Sequence, residues 1–360
     1  MPRKLDPCCP ALYKYQIVRY THFDVSPGAT FVLTSDPWSY LEAYLDARIK
    51  KTRGDNKKNN ERALYYARLA KAFYEASNSI ELPAKATLVY YGLLNLMKCF
   101  ISTKGIELGL ITEHHGLGYG ENSLEVKINS PAKHVINIFH EMAKCLGASI
   151  QGKEVLSLRD VLAQIPEIHE IAYTLNLLPN NERIFVPVKI EFCVNEQKDR
   201  LFTEIGYEKK SEARIKRLPE RFCNGHRRAY FRLKTDQQDW VIYRSLKKKH
   251  LTKTNCPAIY ANIQEEYRRF HIWSILSRDG YKYYCNLSDP RYPQLCYVIM
   301  LMFYLGTVAR YRPAEMGKLL GGEFSPVIRE AVILCPMQYL YQMLSLITKS
   351  ICVIPYALLR

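Results

Sequence analysis

Between Tyr207 and Lys253 the chain gathers fifteen Lys and Arg against five Asp and Glu. Arg227, Arg228, Arg232, Lys234, Arg244, Lys247, Lys248 and Lys249 are interleaved there with Tyr230, Phe231, Trp240 and Tyr243. Cations that meet phosphates and rings that stack on unpaired bases are the chemistry of single-stranded nucleic-acid binding. These eight cations, with Tyr230 and Trp240, are therefore the candidate contacts to RNA or single-stranded DNA. The excess is local, because this stretch carries net +10 of the +16 of all 360 residues. Charge of that sign favours a polyanionic partner through counterion release. The plainer alternative is a sheet whose alternate aromatics face a core while its cations keep the surface soluble.

Other reactive residue types are sparse. His115 stands among Gly105, Gly109, Gly116, Gly118 and Gly120, a glycine-rich stretch that must turn and that lacks the G-x-G-x-x-G spacing of a phosphate cradle. One histidine without a partner either reacts or fixes its loop by bonding a buried backbone group. Lys98 and Arg310 interrupt apolar runs and need carboxylate partners or a cleft, because an unpaired buried charge costs several kcal/mol. Glu125 and Glu167 are the candidate partners. No Walker loop, H-E-x-x-H or Ser-His-Asp pattern stands out, and no cofactor is expected. The eleven cysteines include no C-x-x-C pair, so the sequence gives little support to a zinc site, and their place in apolar runs suits a reducing cytosol.

The elements that position these residues read as α+β, mainly α. Residues 11–34 suggest a hairpin or extended arm. Ser35 or Asp36 caps a helix with Pro37 in its first turn, and the polar run 52–60 reads as a turn before the next helix. A helix from Pro83, apolar on nearly every face except at Asn95 and Lys98, is the expected core of a bundle. A short strand near 124–128, a helix over 131–146 and a helix pair around LRDVLAQIPEIHEIAYTL follow. From 180 to 287 the pattern is one of successive short strands, an inserted antiparallel sheet. Ser288, Asp289 and Pro290 then start C-terminal helices. The expected division is 1–179 helical core with a β arm, 180–287 basic sheet and 288–360 helices packing on the core. Leu295–Ala309 is the one membrane candidate, but fifteen uncharged residues fall short of the roughly 20 that span a bilayer, so a buried helix is expected. With no apolar run after the basic N-terminus, the expected setting is cytoplasmic, with no membrane partner.

YYGLLNLMKCFIST at 90–103, His115-Gly116, LEVKI at 124–128, VLAQIPEIHEI at 161–171 and the apolar helix ending in Ala309-Arg310-Tyr311 occur in an order that resembles the YaaC-like family. The resemblance covers about half the chain and departs from the family at LGYGENSL and over 180–287. More distantly, Tyr90, Tyr91, Lys104, Gly105, His115 and Gly116 resemble the succession of HEPN domains, helical bundles of bacterial toxin and phage-defence systems. That likeness implies a role in antiviral defence and a protein partner encoded nearby. Many HEPN ribonucleases pair an Arg and a His four to six residues apart, and the resemblance would place these roles on Arg221 and His226, or a base on His115. Asn224-Gly225 and Pro219 argue instead for a loop around His226. The expectation is a nucleic-acid-binding protein, with a HEPN-like ribonuclease or a non-catalytic scaffold as alternatives.

Overall fold

The computed structural model describes residues 9–108, 113–120, 124–131, 134–195, 197, 199–214, 230–232, 239–246, 249–252 and 254–355. The fold is α+β and mainly α, in two compact units. One comprises Met1–Leu33, Ile184–Asp289 and Lys349–Arg360; the other comprises Thr34–Arg183 and Pro290–Thr348. The arm before residue 34 and the C-terminal segment thus group with the sheet, where chain order had put them with the helices. Elements are numbered along the chain.

In the first unit the arm supplies β1 (Cys9–Pro10), β2 (Leu12–Tyr13), β3 (Gln16–Ile17) and β4 (Phe31–Leu33). The main sheet contains β10 (Phe185–Val194), β11 (Arg200–Glu208), β12 (Tyr230–Arg232), β13 (Trp240–Ser245), β15 (Ile272–Ser277) and β16 (Gly280–Asn286), ordered β12-β13-β11-β10-β16-β15. Pairing is antiparallel, with β1 added beside β10 and β14 (Lys249–His250) beside β11. Ile190 stands opposite Ile205, and Ile205 opposite Tyr243. The period of two therefore puts Val186, Val188, Phe192, Ile205, Tyr207, Val241 and Tyr243 on one buried face.

A helix not expected in this region, α7 (Cys256–Arg269), packs on that face with Tyr260, Ile263 and Tyr267. Its side chains also pin the arm. Gln264 donates to the carbonyls of Thr21 and Phe23, and the Tyr260 hydroxyl to that of Arg19. Near the other end β17 (Ile351–Val353) pairs in parallel with β4.

The second unit is built around α3 (Ala84–Thr103), whose residues from Val89 to Ser102 are almost all buried. It packs against α2 (Gly54–Ser77), α4 (Ile138–Cys145), α8 (Gln294–Tyr311) and α10 (Ser325–Thr348). α1 (Pro37–Lys51) is capped by Asp36, which accepts from the Ser39 N–H at 3.0 Å; hydrogen bonds from the Ser39 side chain first, and then from its N–H, lower the Asp36 pKa. Most of the polar run 52–60 is helical rather than a turn: α2 begins at Gly54, and buried Asn60 donates to the Thr52 hydroxyl at 3.2 Å. α5 (Leu158–Ala163) starts with a reciprocal Ser157–Asp160 capping box, and α6 (Pro166–Thr174) and α9 (Pro313–Gly321) complete the helices.

Short strands β5 (Glu113–His114), β6 (Leu117–Tyr119), β7 (Glu125–Ile128), β8 (Ile136–Asn137) and β9 (Glu154–Ser157) cross the bundle. The helix expected over 131–146 is thus a bridge strand followed by the shorter α4. Among the described residues α8 and α10 are long and apolar enough to cross a membrane, and most of each is buried inside the protein.

Candidate functional site

The polar residues of α3 meet the segment from Glu113 to Tyr119. Tyr91, Asn95 and Lys98 lie four and three residues apart, one stripe of the helix, with Tyr90 beside it. The crossing segment is held by backbone bonds: Phe139 N–H donates to the His115 carbonyl at 3.1 Å and Asn129 N–H to that of Gly116 at 3.0 Å. Gly116 has φ +81°, and a Cβ there would lie 2.6 Å from His140 Nδ1. The glycine after His115 is therefore a structural requirement of the turn that presents the imidazole.

His115 Nδ1 lies 2.5 Å from the hydroxyl of Tyr90, which is fully buried. Burial pushes the Tyr90 pKa up, so the hydroxyl keeps its proton. The His115 pKa is lowered, first by burial and then by the charges of Lys98, Arg310 and His114, so the ring is neutral at pH 7. If the hydroxyl donates to Nδ1, both groups are satisfied and the mobile proton of the ring sits on Nε2.

Lys98 Nζ pairs with Glu113 Oε2 at 2.6 Å, and the Tyr66 hydroxyl donates to Oε1 of the same carboxylate at 3.3 Å. Burial and Glu113 push the Tyr66 pKa up to about 12. Arg310 Nε donates to the Gly306 carbonyl at 3.0 Å, and Nη1 to the Tyr91 hydroxyl. Its guanidinium carbon lies 5.0 Å from the Tyr91 ring centre and 4.9 Å from that of Tyr311, which is 70% exposed.

Sequence proximity had suggested Glu125 and Glu167 as the carboxylates for Lys98 and Arg310. The first cation uses Glu113 instead, and Arg310 uses tyrosine and a backbone carbonyl. Glu167 accepts from Gln294 at 2.9 Å, while its Oε2 is buried without a hydrogen-bond partner. Burial raises its pKa to about 7. A carboxyl that is more basic folded than unfolded stabilises the protein below its unfolded pKa, and that contribution is lost as pH rises through about 7. Glu167→Gln should accordingly raise stability at pH 8 by about 2 kcal/mol, with little change at pH 4, in urea melts across pH.

The basic stretch is placed only in part. Arg221, His226, Arg227, Arg228, Lys234, Lys247 and Lys248 lie outside the described residues. Tyr230 and Arg232 have their backbones in β12, at the edge of the main sheet, and their side chains are likewise outside the description. Lys249 is half-buried in β14. Arg244, by contrast, is buried and bonds Glu204 through Nε at 2.7 Å, with the Phe202 ring centre 4.3 Å from its guanidinium carbon. That pairing withdraws it from the candidate phosphate contacts. Trp240 is not an open stacking platform: Lys189 Nζ stands 3.8 Å over its ring, and Gly206 lies so close that a Cβ there would be 3.3 Å from the ring. Tyr243 is in the core beside Tyr207.

Glu191, Cys193 and Glu204 bring one potential metal-ligand atom each within 4.8 Å of one another. Arg244 already sits on Glu204, supplying positive charge at that carboxylate. The nine cysteines among the described residues are free thiols. Burial raises the pKa of Cys99 and Cys296, which fits packing rather than nucleophilic use.

The sequence model of the family described as YaaC-like Protein matches residues 32–347. Comparison with curated proteins and with solved structures finds no match.

Proposed function

This chain belongs to the YaaC-like family, and from that premise we propose that it binds RNA or single-stranded DNA through the cations concentrated between Tyr207 and Lys253. The observation that carries the reading is the charge itself, net +10 over that stretch. Arg244 and the Trp240 ring are engaged within the protein, so phosphate contact rather than base stacking dominates, and little sequence preference is expected.

Fluorescence anisotropy with labelled single strands across a salt series is the test. Replacing Lys247, Lys248 and Lys249 together by Ala should flatten the slope of log affinity against log salt by about 2 units, near 0.7 for each lost phosphate contact. Absence of binding at low salt removes the proposal. The cellular role attached to it is phage defence, read by efficiency of plating with and without the gene.

A ribonuclease related to HEPN enzymes is a second reading, favoured by an imidazole whose pKa is lowered by burial and by the nearby charges of Lys98 and Arg310. A base at a ribose hydroxyl and a cation at the phosphate are what such cleavage needs. Labelled RNA incubated with wild type and His115→Ala decides it: equal and negligible cleavage drops the enzyme. A scaffold without chemistry would instead copurify one stoichiometric protein and no nucleic acid.

A further inference from the structure

We propose that the helical unit carries an anion site of its own, in which His115 Nε2–H and the Arg310 guanidinium receive a phosphate ester or an equivalent tetrahedral dianion. It is separate from the basic stretch of the sheet unit. It shares residues with the ribonuclease reading but requires no cleavage.

His115 has its Nδ1 occupied by the Tyr90 hydroxyl, and no protein group among the described residues meets its Nε2. In the tautomer where the Tyr90 hydroxyl donates to Nδ1, Nε2 presents an N–H, a donor. Arg310 spends Nε on Gly306 and Nη1 on Tyr91, which leaves Nη2 without a protein acceptor among the described residues. A planar guanidinium fixed through two of its nitrogens and still offering the third suits an oxyanion.

The charges close to His115 are Lys98 on α3, Arg310 on α8 and the neighbouring His114. Glu113 pairs with Lys98, and among the described residues no carboxylate pairs with Arg310. The Tyr91 and Tyr311 rings both lie about 5 Å from the guanidinium carbon. Phe303 closes another side, with its ring centre 6.4 Å from that of His115. Desolvation strengthens a hydrogen bond from such donors to an anion. The helix α8, apolar along most of its length, ends on Ala309-Arg310-Tyr311, and the charge at that end acts on the imidazole.

The probe is inorganic sulfate, a dianion throughout pH 5–8, followed by the His115 imidazole resonances of full-length protein with labelled histidine. His115→Gln assigns the signal. Titration with sulfate up to about 50 mM, at constant ionic strength set with chloride, should shift that signal in a saturable way. It should also raise the His115 pKa by about one unit, because a bound anion favours the imidazolium. Arg310→Gln should weaken sulfate binding at least about tenfold. The Lys247, Lys248 and Lys249 triple variant should bind sulfate as wild type does, which separates this site from nucleic-acid binding. A His115 signal that sulfate moves no more than chloride overturns the proposal using wild-type protein alone. An undiminished response in Arg310→Gln does the same, and Arg310→Lys, which keeps the charge, controls for misfolding.

Discussion

Glu204→Ala should lower the stability of the sheet unit by about 3–5 kcal/mol in urea melts, among the largest single-residue effects in this protein. Glu204 and Arg244 stand directly opposite on β11 and β13, and their side chains are only 11% and 5% exposed. Removing the acid takes away the carboxylate that bonds a guanidinium buried against Phe202, and the cost of keeping that charge in a desolvated site, rather than the lost attraction, sets the size of the effect. The double substitution Glu204→Leu with Arg244→Met should be nearly neutral, since an apolar pair of similar volume avoids the cost of desolvating both charges. It should also leave the salt slope of nucleic-acid binding unchanged. Destabilisation below about 1 kcal/mol for Glu204→Ala, or a shallower salt slope for the double variant, would return Arg244 to the candidate phosphate contacts.

That pair shows where residue-level reading ends. Arg244 occupies the kind of position, among aromatics in a basic stretch, that reads as a solvent-facing cation; its burial follows from Glu204, forty residues earlier and brought opposite by strand register. The same limit applies to Lys98, whose partner Glu113 lies in a glycine-rich stretch with no periodicity to place it. Elements were more legible than partners. The apolar run of α3 and the Asp36–Pro37 start of α1 are local signals, and both appear in the fold. α7 carried a signal too. Cys256, Tyr260, Ile263 and Tyr267 recur at helical spacing with Pro257 in the first turn, but β-rich neighbours and aromatic content masked it. The polar run opening α2 gives no helical signal because Lys, Asp and Asn also mark turns, yet most of these residues occupy an exposed helix face. His115 stood out through the family resemblance, whereas Tyr90 as its partner required the crossing of the Glu113–Tyr119 segment over α3.

Gly306 is where packing and the anion site depend on one atom. α8 approaches α3 so closely there that a Cβ would lie 3.1 Å from Tyr90 Cβ and 3.4 Å from the Ala86 carbonyl oxygen. Two effects of opposite sign then compete. Ala in a helix interior is favoured over Gly by about 1 kcal/mol, while a contact that tight strains the interface by a similar amount, so Gly306→Ala should be close to neutral. Gly306→Val adds three carbons, a Cβ and its two methyl groups, with no space to receive them, against a tyrosine that is itself fully buried, and should cost about 3 kcal/mol. The loss should reach the site as well. The Gly306 carbonyl accepts from Arg310 Nε and, at 3.4 Å, from the Thr87 hydroxyl, so prising α8 from α3 displaces the guanidinium relative to His115. Urea melts and the sulfate response of His115 should therefore fail together in Gly306→Val and survive together in Gly306→Ala. A valine variant that is destabilised yet keeps the full sulfate response would mean that the helix interface and the anion site are independent.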